Sequence, residues 1–340
     1  MKNKTSNKDL SKARANKKDE FYTQLSDIEK ELKYYKEHFK NKIVYCNCDD
    51  PRVSNFFHYF SYNFEKLELK KLITTCYKNN DMDLFSQNSS ERAIYLEYTG
   101  DKNNNNIPDK EEIEINYLDG DGDFRSKECI ELLKQADIVV TNPPFSLFRE
   151  YVAQLIEYDK KFLIIGNINA ISYKEIFKLF KENKIWLGAS IHSGDREFGV
   201  PSYYPLNAAG VRVDEKGNKF IRVKGVRWFT NLDYKERHEN LILYKKYNPK
   251  DYPKFDNYDA INVDKTSDIP MDYEGAMGVP ITFLDKYNPE QFEILSSNDI
   301  RLNENVPYKE HGLIKDKEGA INGKPKYVRI VIRNKNVLKG

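Results

Sequence analysis

The sequence predicts a doubly wound α/β fold: a Rossmann-like sheet with helices on both faces, plus inserted and C-terminal segments of different texture. Three observations carry that prediction. Short β-branched or aromatic runs alternate with helical periods between residues 42 and 188, the pattern of parallel strands joined by crossover helices. One run, Ile138-Val139-Val140 in the stretch ADIVVTNPPFS at 136–146, ends on two prolines that cannot continue a ladder. From residue 189 onward, glycines at 194, 199, 210, 217 and 225 break the chain into short mixed pieces.

In order along the chain, residues 1–18 read as a basic disordered arm. Ser26 with Glu29 three residues on forms a capping-box pattern that opens a helix over 27–39. A first strand is predicted at 42–48, a helix at 52–64 and a second strand at 71–76. Strands at 92–98 and 112–117 follow, then a helix at 128–135 and the strand at 137–141. The apolar positions Leu147, Phe148, Tyr151, Val152 and Leu155 fall at helical spacing over 147–158. A core strand at 161–166, a helix at 173–183 and a short strand at 185–187 complete the alternation. Further strands are expected at 220–223 and 226–230, and a late strand of the main sheet at 240–244. Short apolar pieces at 291–295 and 327–332 punctuate the rest. The expected organisation is therefore an arm (1–18), a core (19–188), and recognition segments (189–340) that return one strand to the core near 240–245.

Composition excludes some classes. In 340 residues, 55 Lys+Arg balance 53 Asp+Glu to a net charge of +2, so no global field draws in nucleic acid. The two ends are locally basic. Residues 1–20 hold seven Lys/Arg against three acids, and residues 321–340 hold six against none, which suits phosphate contacts as well as solvated tails. Cys46, Cys48, Cys76 and Cys129 have neither zinc nor disulfide spacing. No apolar run is long enough to span a bilayer, so a cytoplasmic protein with no membrane association is expected.

One loop is weighed separately. Asp101, Asn103, Asn105, Asp109 and Glu112 fall at positions 1, 3, 5, 9 and 12 of a calcium-loop spacing. The sixth position is Asn106 rather than Gly, and Pro108 stiffens the loop. The simpler reading is an Asn-rich hairpin tip, and no metal is assigned.

The chemistry concentrates at Asn142-Pro143-Pro144-Phe145. Open α/β sheets bind ligands at the carboxyl ends of their strands. Asn142 offers an amide carbonyl and Pro143 a backbone carbonyl, and two adjacent acceptors can hold both hydrogens of an exocyclic NH₂. Phe145 offers a flat face for a planar ring. A strand that simply ends in a Pro-Pro turn would look the same.

NPPF after a hydrophobic strand resembles the catalytic motif of amino-group methyltransferases that use S-adenosylmethionine. The longer stretch is similar to the EcoRI-type adenine-specific DNA methyltransferases over most of residues 17–245. It runs from KKDEFYTQLSDIEKEL through DDPRVSNFFHYF to GDGDFRSKECIELLKQADIVVTNPPFSLFREYVAQLIEYDKKFLIIGN. The resemblance implies transfer of a methyl group to the N6 amino group of a flipped adenine in a specific double-stranded DNA sequence, with GAATTC as one candidate target. Asn142, Pro143 and Phe145 would be catalytic. Phe21, Tyr22 and Thr23 would cover the methionine end of the cofactor, and Asp123 with Phe124 would read its adenine. Most cofactor-binding methyltransferases have a Gly-rich turn after the first strand. Here Asn47, Asp49 and Asp50 must supply polar contacts instead. The second strand ends Thr74-Thr75-Cys76-Tyr77 without an acid, so the ribose ligand stays unassigned. Arg196, Arg222, Lys224 and Arg227 are the candidates for reading DNA. A cognate restriction endonuclease is the implied partner in a restriction-modification pair, and a monomer is expected. Methyl transfer to RNA or to a protein glutamine, and a non-catalytic DNA-binding protein on the same fold, are the alternatives. Phe rather than Tyr at position 145 favours adenine over glutamine.

Overall fold

The computed structural model describes residues 21–48, 54–75, 93–105, 107–109, 111–200, 210–256, 259–297 and 319–337. The chain forms two compact units that interleave in sequence: 1–168 with 193–232, and 169–192 with 233–340.

The first unit is built on the strands β1 (Ile43–Cys46), β2 (Lys71–Thr75), β3 (Ile94–Tyr98), β4 (Ile113–Tyr117), β5 (Ile138–Thr141), β6 (Lys161–Asn167) and β11 (Val226–Thr230). Their order is β4-β3-β2-β1-β5-β6-β11. β2, β1, β5 and β6 pair in parallel. β3, β4 and β11 are added antiparallel at the flanks. The expected α/β class is borne out. Strand order reverses between β1 and β5, and a doubly wound sheet opens its crevice at that point. The central strands are buried almost throughout because helices cover both faces, so they read as apolar runs rather than alternations.

The helices are α1 (Leu25–Leu32), α2 (Asn55–Tyr62), α3 (Lys127–Gln135) and α4 (Phe148–Glu157). Ser54 caps α2, its hydroxyl accepting from Phe56 N and Phe57 N, and Ser126 caps α3 by accepting from Cys129 N. The expected cap at Ser26 is not used. α1 starts two residues earlier, at Leu25, and Asp27 N and Ile28 N bond to the Gln24 carbonyl instead. The helix also stops at Leu32 rather than running to 39. A 3₁₀ turn at Lys36–His38 then seats Tyr35 and Phe39 in the core, and the Tyr35 hydroxyl donates to Glu31 at 2.9 Å.

A small antiparallel sheet, β8-β10-β9, uses β8 (Asp195–Val200), β9 (Val211–Val213) and β10 (Lys219–Lys224). β10 meets β8 with Arg222 opposite Glu197 and Lys224 opposite Asp195.

In the second unit, α5 (Lys174–Lys181) buries Ile176, Phe177 and Phe180, and the short strands are β7 (Trp186–Leu187) and the hairpin pair β15 (Ala320–Ile321) and β16 (Lys324–Pro325). A four-stranded sheet is ordered β12 (Ile261–Asn262), β13 (Met277–Pro280), β17 (Arg329–Asn334) and β14 (Phe292–Ser297). The expected strand at 240–244 does not form, and the antiparallel partner of β6 is Val226–Thr230. The reason lies in one side chain. Gln291 accepts from Leu241 N at 2.6 Å and donates to Leu241 O at 2.8 Å, so that backbone needs no ladder. Ile242 and Tyr244 are accordingly 86% and 62% exposed. Among the described residues no helix is long and apolar enough to cross a membrane.

Candidate active site

The site forms where the carboxyl ends of β1 and β5 lie side by side. Thr141, the last residue of β5, donates through its hydroxyl to the Asn47 carbonyl, which stitches the two strand ends together. The chain then leaves β5 through Asn142, Pro143 and Pro144 into a 3₁₀ turn at Phe145–Leu147 that runs directly into α4.

Asn142 is buried, and its two amide atoms are treated differently. Nδ2 donates to the Phe21 carbonyl at 2.6 Å, while Oδ1 is buried without a hydrogen-bond partner. Buried polar atoms are rarely left unmatched, since an orphan costs about 1–3 kcal/mol. The Phe21 carbonyl thus fixes which way the amide faces and holds its acceptor out for something the protein does not supply. Pro143 beside it is buried, and Phe145 is partly exposed. The Phe145 ring packs edge-on against Phe21 with centroids 5.9 Å apart, and Phe21 lies 5.8 Å from Phe198.

Phe21, Tyr22 and Thr23 are brought to this point, 120 residues away in sequence, by backbone pairing. Tyr22 N bonds to Gly199 O at 2.8 Å and Gly199 N to Tyr22 O at 2.9 Å. The Thr23 carbonyl accepts from Asn55 Nδ2 at 2.7 Å, whereas the Thr23 hydroxyl is buried with no partner. It is a second orphan on the same short segment.

Asn47 is buried, and its side-chain carbonyl accepts from the Tyr151 hydroxyl. Burial holds the Tyr151 phenol well above its ordinary value, so it stays a donor and turns the Asn47 NH₂ the other way. Phe124 is buried edge-on against Tyr151 at 5.0 Å. Sequence reasoning put Tyr151 on an apolar helix face and missed its hydroxyl; only the fold supplies that partner. Asp123 is more constrained than expected. Its carboxylate takes Arg125 in a bidentate pair, with contacts of 2.9 and 2.7 Å, and Arg125 reaches on to Glu150 at 3.1 Å. Asp49 and Asp50 lie outside the described residues. Cys48, immediately before them, adopts φ +76°. A cysteine therefore takes the left-handed backbone that glycine usually supplies at this turn.

The DNA-reading candidates separate by exposure. Arg222 and Lys224 are exposed on β10. Arg196 on β8 is partly covered and stands 3.9 Å from Asp27. Arg227 departs from the expectation of a surface cation. It sits in the wholly buried strand β11, 4% exposed, with its guanidinium donating to Val226 O at 2.8 Å.

Two buried polar atoms without a hydrogen-bond partner, Asn142 Oδ1 and Thr23 Oγ1, belong to the same two segments that bring the Phe21 and Phe145 rings together.

A family model described as adenine-specific methyltransferase EcoRI matches residues 9–335. Type II methyltransferase M.EcoRI of Escherichia coli is 53% identical over 341 residues, spanning 100% of both chains. Type II methyltransferase M.MgeORF184P of Mycoplasma genitalium is 41% identical, covering 96% of this chain and 99% of its own. Type II methyltransferase M.MpnI of Mycoplasma pneumoniae is 40% identical, covering 96% and 98%.

Proposed function

The chain belongs to the adenine-specific methyltransferase EcoRI family, and from that premise we propose that it methylates the N6 amino group of adenine within a specific double-stranded DNA sequence. As a methyltransferase it draws its methyl group from S-adenosylmethionine. The observation that carries the site assignment is the buried, unpartnered Asn142 Oδ1, fixed by the Phe21 carbonyl and adjacent to Pro143.

The mechanism follows from what those atoms accept. The amino nitrogen of adenine is a poor nucleophile because its lone pair is delocalised into the ring. Asn142 Oδ1 and the Pro143 carbonyl accept its two hydrogens and favour the form with a localised lone pair. Positive charge builds on that nitrogen as the new bond forms, so the two oxygens bind the transition state more tightly than the ground state. No carboxylate is needed before attack, and the proton leaves afterwards. When bound, S-adenosylmethionine supplies an electrophilic methyl on a sulfonium. The Thr23 hydroxyl and the Phe21–Thr23 backbone are suited to its amino-acid end, the Asn47 NH₂ to its ribose, and Phe124 to its base. Asp123 would act on the cofactor's amino group only through lone pairs left over by Arg125.

A duplex hides the amino group, so the target adenine leaves the stack at about a few kcal/mol. Stacking on Phe145 offsets about 1–3 kcal/mol of this. Arg222 and Lys224, exposed on one strand of a small sheet, are the candidates for contacting DNA. A restriction endonuclease acting on the same sequence, and a monomeric methyltransferase, complete the proposal. The test is to incubate plasmid DNA with the protein and S-adenosylmethionine and map modified adenines by sequencing. Methyl groups on one adenine of one short sequence are expected. Label that appears only in RNA or protein, or none at all, overturns the reading.

A further inference from the structure

The hairpin tip between β3 and β4 has no part in the methyl-transfer site, yet it contains a buried carboxylate with one bare oxygen. Glu112 is 5% exposed. Its Oε1 accepts from Lys102 N at 2.6 Å and Asn103 N at 3.2 Å, which places the carboxylate inside the loop that begins at Asp101. Its Oε2 is buried with no hydrogen-bond partner. A carboxyl oxygen withdrawn from water in this way calls for a hydrogen-bond donor or a cation. Asp109 accepts from Asn103 Nδ2 at 2.6 Å and Asn105 Nδ2 at 3.3 Å. Asp101 Oδ1 accepts from Asn105 N at 3.2 Å, and Glu65 closes the neighbourhood by accepting from Asp101 N at 3.2 Å. The Tyr98 phenol is pushed up to about 12, first by burial and then by Glu112, Asp101, Glu65 and Asp109.

We propose that residues Asp101–Glu112 form a calcium site, with oxygens from Asp101, Asn103, Asn105, the Ile107 carbonyl, Asp109 and both oxygens of Glu112. These are positions 1, 3, 5, 7, 9 and 12 of a twelve-residue calcium loop, and together they supply seven hard oxygen ligands. Glu112 stands at the position that such loops reserve for a bidentate carboxylate, and it is the buried, half-unsatisfied one. Asn103, Asn105 and Ile107 are exposed, so an ion has access. Asn104 takes φ +61° and turns the chain back on itself at the tip. Among the described residues no three His, Cys, Asp or Glu stand gathered as a ready metal cage. Binding an ion requires Asp101 and Asp109 to be drawn toward Glu112. Three carboxylates with two amides place the affinity in the weak range of such loops, a Kd on the order of 10⁻⁴ M.

The test uses the full chain, stripped with a chelator and titrated calorimetrically with calcium chloride and, separately, magnesium chloride, with thermal unfolding followed in parallel. One calcium ion per chain and a rise of several degrees in melting temperature at millimolar calcium are expected. Glu112→Gln keeps the two backbone contacts and removes the charge; it should weaken binding at least tenfold. Asp109→Asn, on the open side of the loop, should do the same and carries the test if Glu112→Gln does not fold. Absence of calcium binding by the wild-type chain overturns the proposal. So does binding that survives both substitutions, or a magnesium response equal to that of calcium.

Discussion

Asn142→Ala should separate catalysis from stability. The substitution deletes two atoms with opposite contributions. Loss of the Nδ2 bond to the Phe21 carbonyl, 2.6 Å long, costs about 0.5–1.5 kcal/mol. Removal of the buried, unpartnered Oδ1 returns about 1–3 kcal/mol that the free protein spends on holding it dry. The small void left by the amide takes back part of that gain. The net change is within about 1 kcal/mol of zero, or roughly 2–4 °C in melting temperature for a unit of this size. The catalytic effect has no such compensation. Removing one pre-oriented group that stabilises developing charge lowers turnover by about 10²–10³, or roughly 2.7–4 kcal/mol. The measurements are thermal unfolding, calorimetric binding of S-adenosylmethionine, and single-turnover transfer of labelled methyl groups to a duplex. A transfer rate within tenfold of wild type would refute the acceptor role. So would a melting temperature lowered by more than about 5 °C in proportion to the lost activity, since Asn142 would then be a packing residue.

Phe145→Ala should weaken productive DNA engagement by the worth of one stacked base, about 1–3 kcal/mol, while cofactor binding persists; KM and kcat for duplex and for single-stranded substrate give the readout. Gly166→Ala in β6 should destabilise by about 1–3 kcal/mol, because the new Cβ would stand 2.5 Å from Phe148 Cε2 and 3.0 Å from Phe229 Cε2; denaturant unfolding measures it. His238 in the second unit is raised above its ordinary value, chiefly by its hydrogen bond to Asp233, with burial opposing and Glu290 adding. Its stabilisation is fully present below about pH 6.5 and is lost as the pH rises through the folded value. Melting temperature should therefore fall on going from pH 6 to 8, and His238→Asn should flatten that slope.

Much of the fold was legible because the central strands are short β-branched runs bounded by turn residues. Ile138–Thr141, Lys161–Asn167 and Val226–Thr230 form within a residue of where the pattern put them, or at the same bounds. The segment at 240–244 has the same apolar texture but forms no strand, and a glutamine 50 residues away takes both backbone groups of Leu241. Periodicity carries no information about such a contact. At the site, Asn142, Pro143 and Phe145 stood out from the local motif alone. The Phe21 carbonyl that orients Asn142 comes from 121 residues upstream and was invisible. Arg227 shows the opposite failure. Charge suggested a surface, but its strand is covered on both faces, and only the sheet order reveals that.

Cys48 marks an economy in the turn after β1. Its φ of +76° forces an L-residue into a conformation that disfavours it by about 1–2 kcal/mol. A glycine there would relax the bend but would also multiply the shapes open to the loop before anything bound. A cysteine at this position samples fewer backbone shapes than a glycine would, so the neighbouring Asn47, tied to Thr141 across the strand ends, has less freedom to lose on folding.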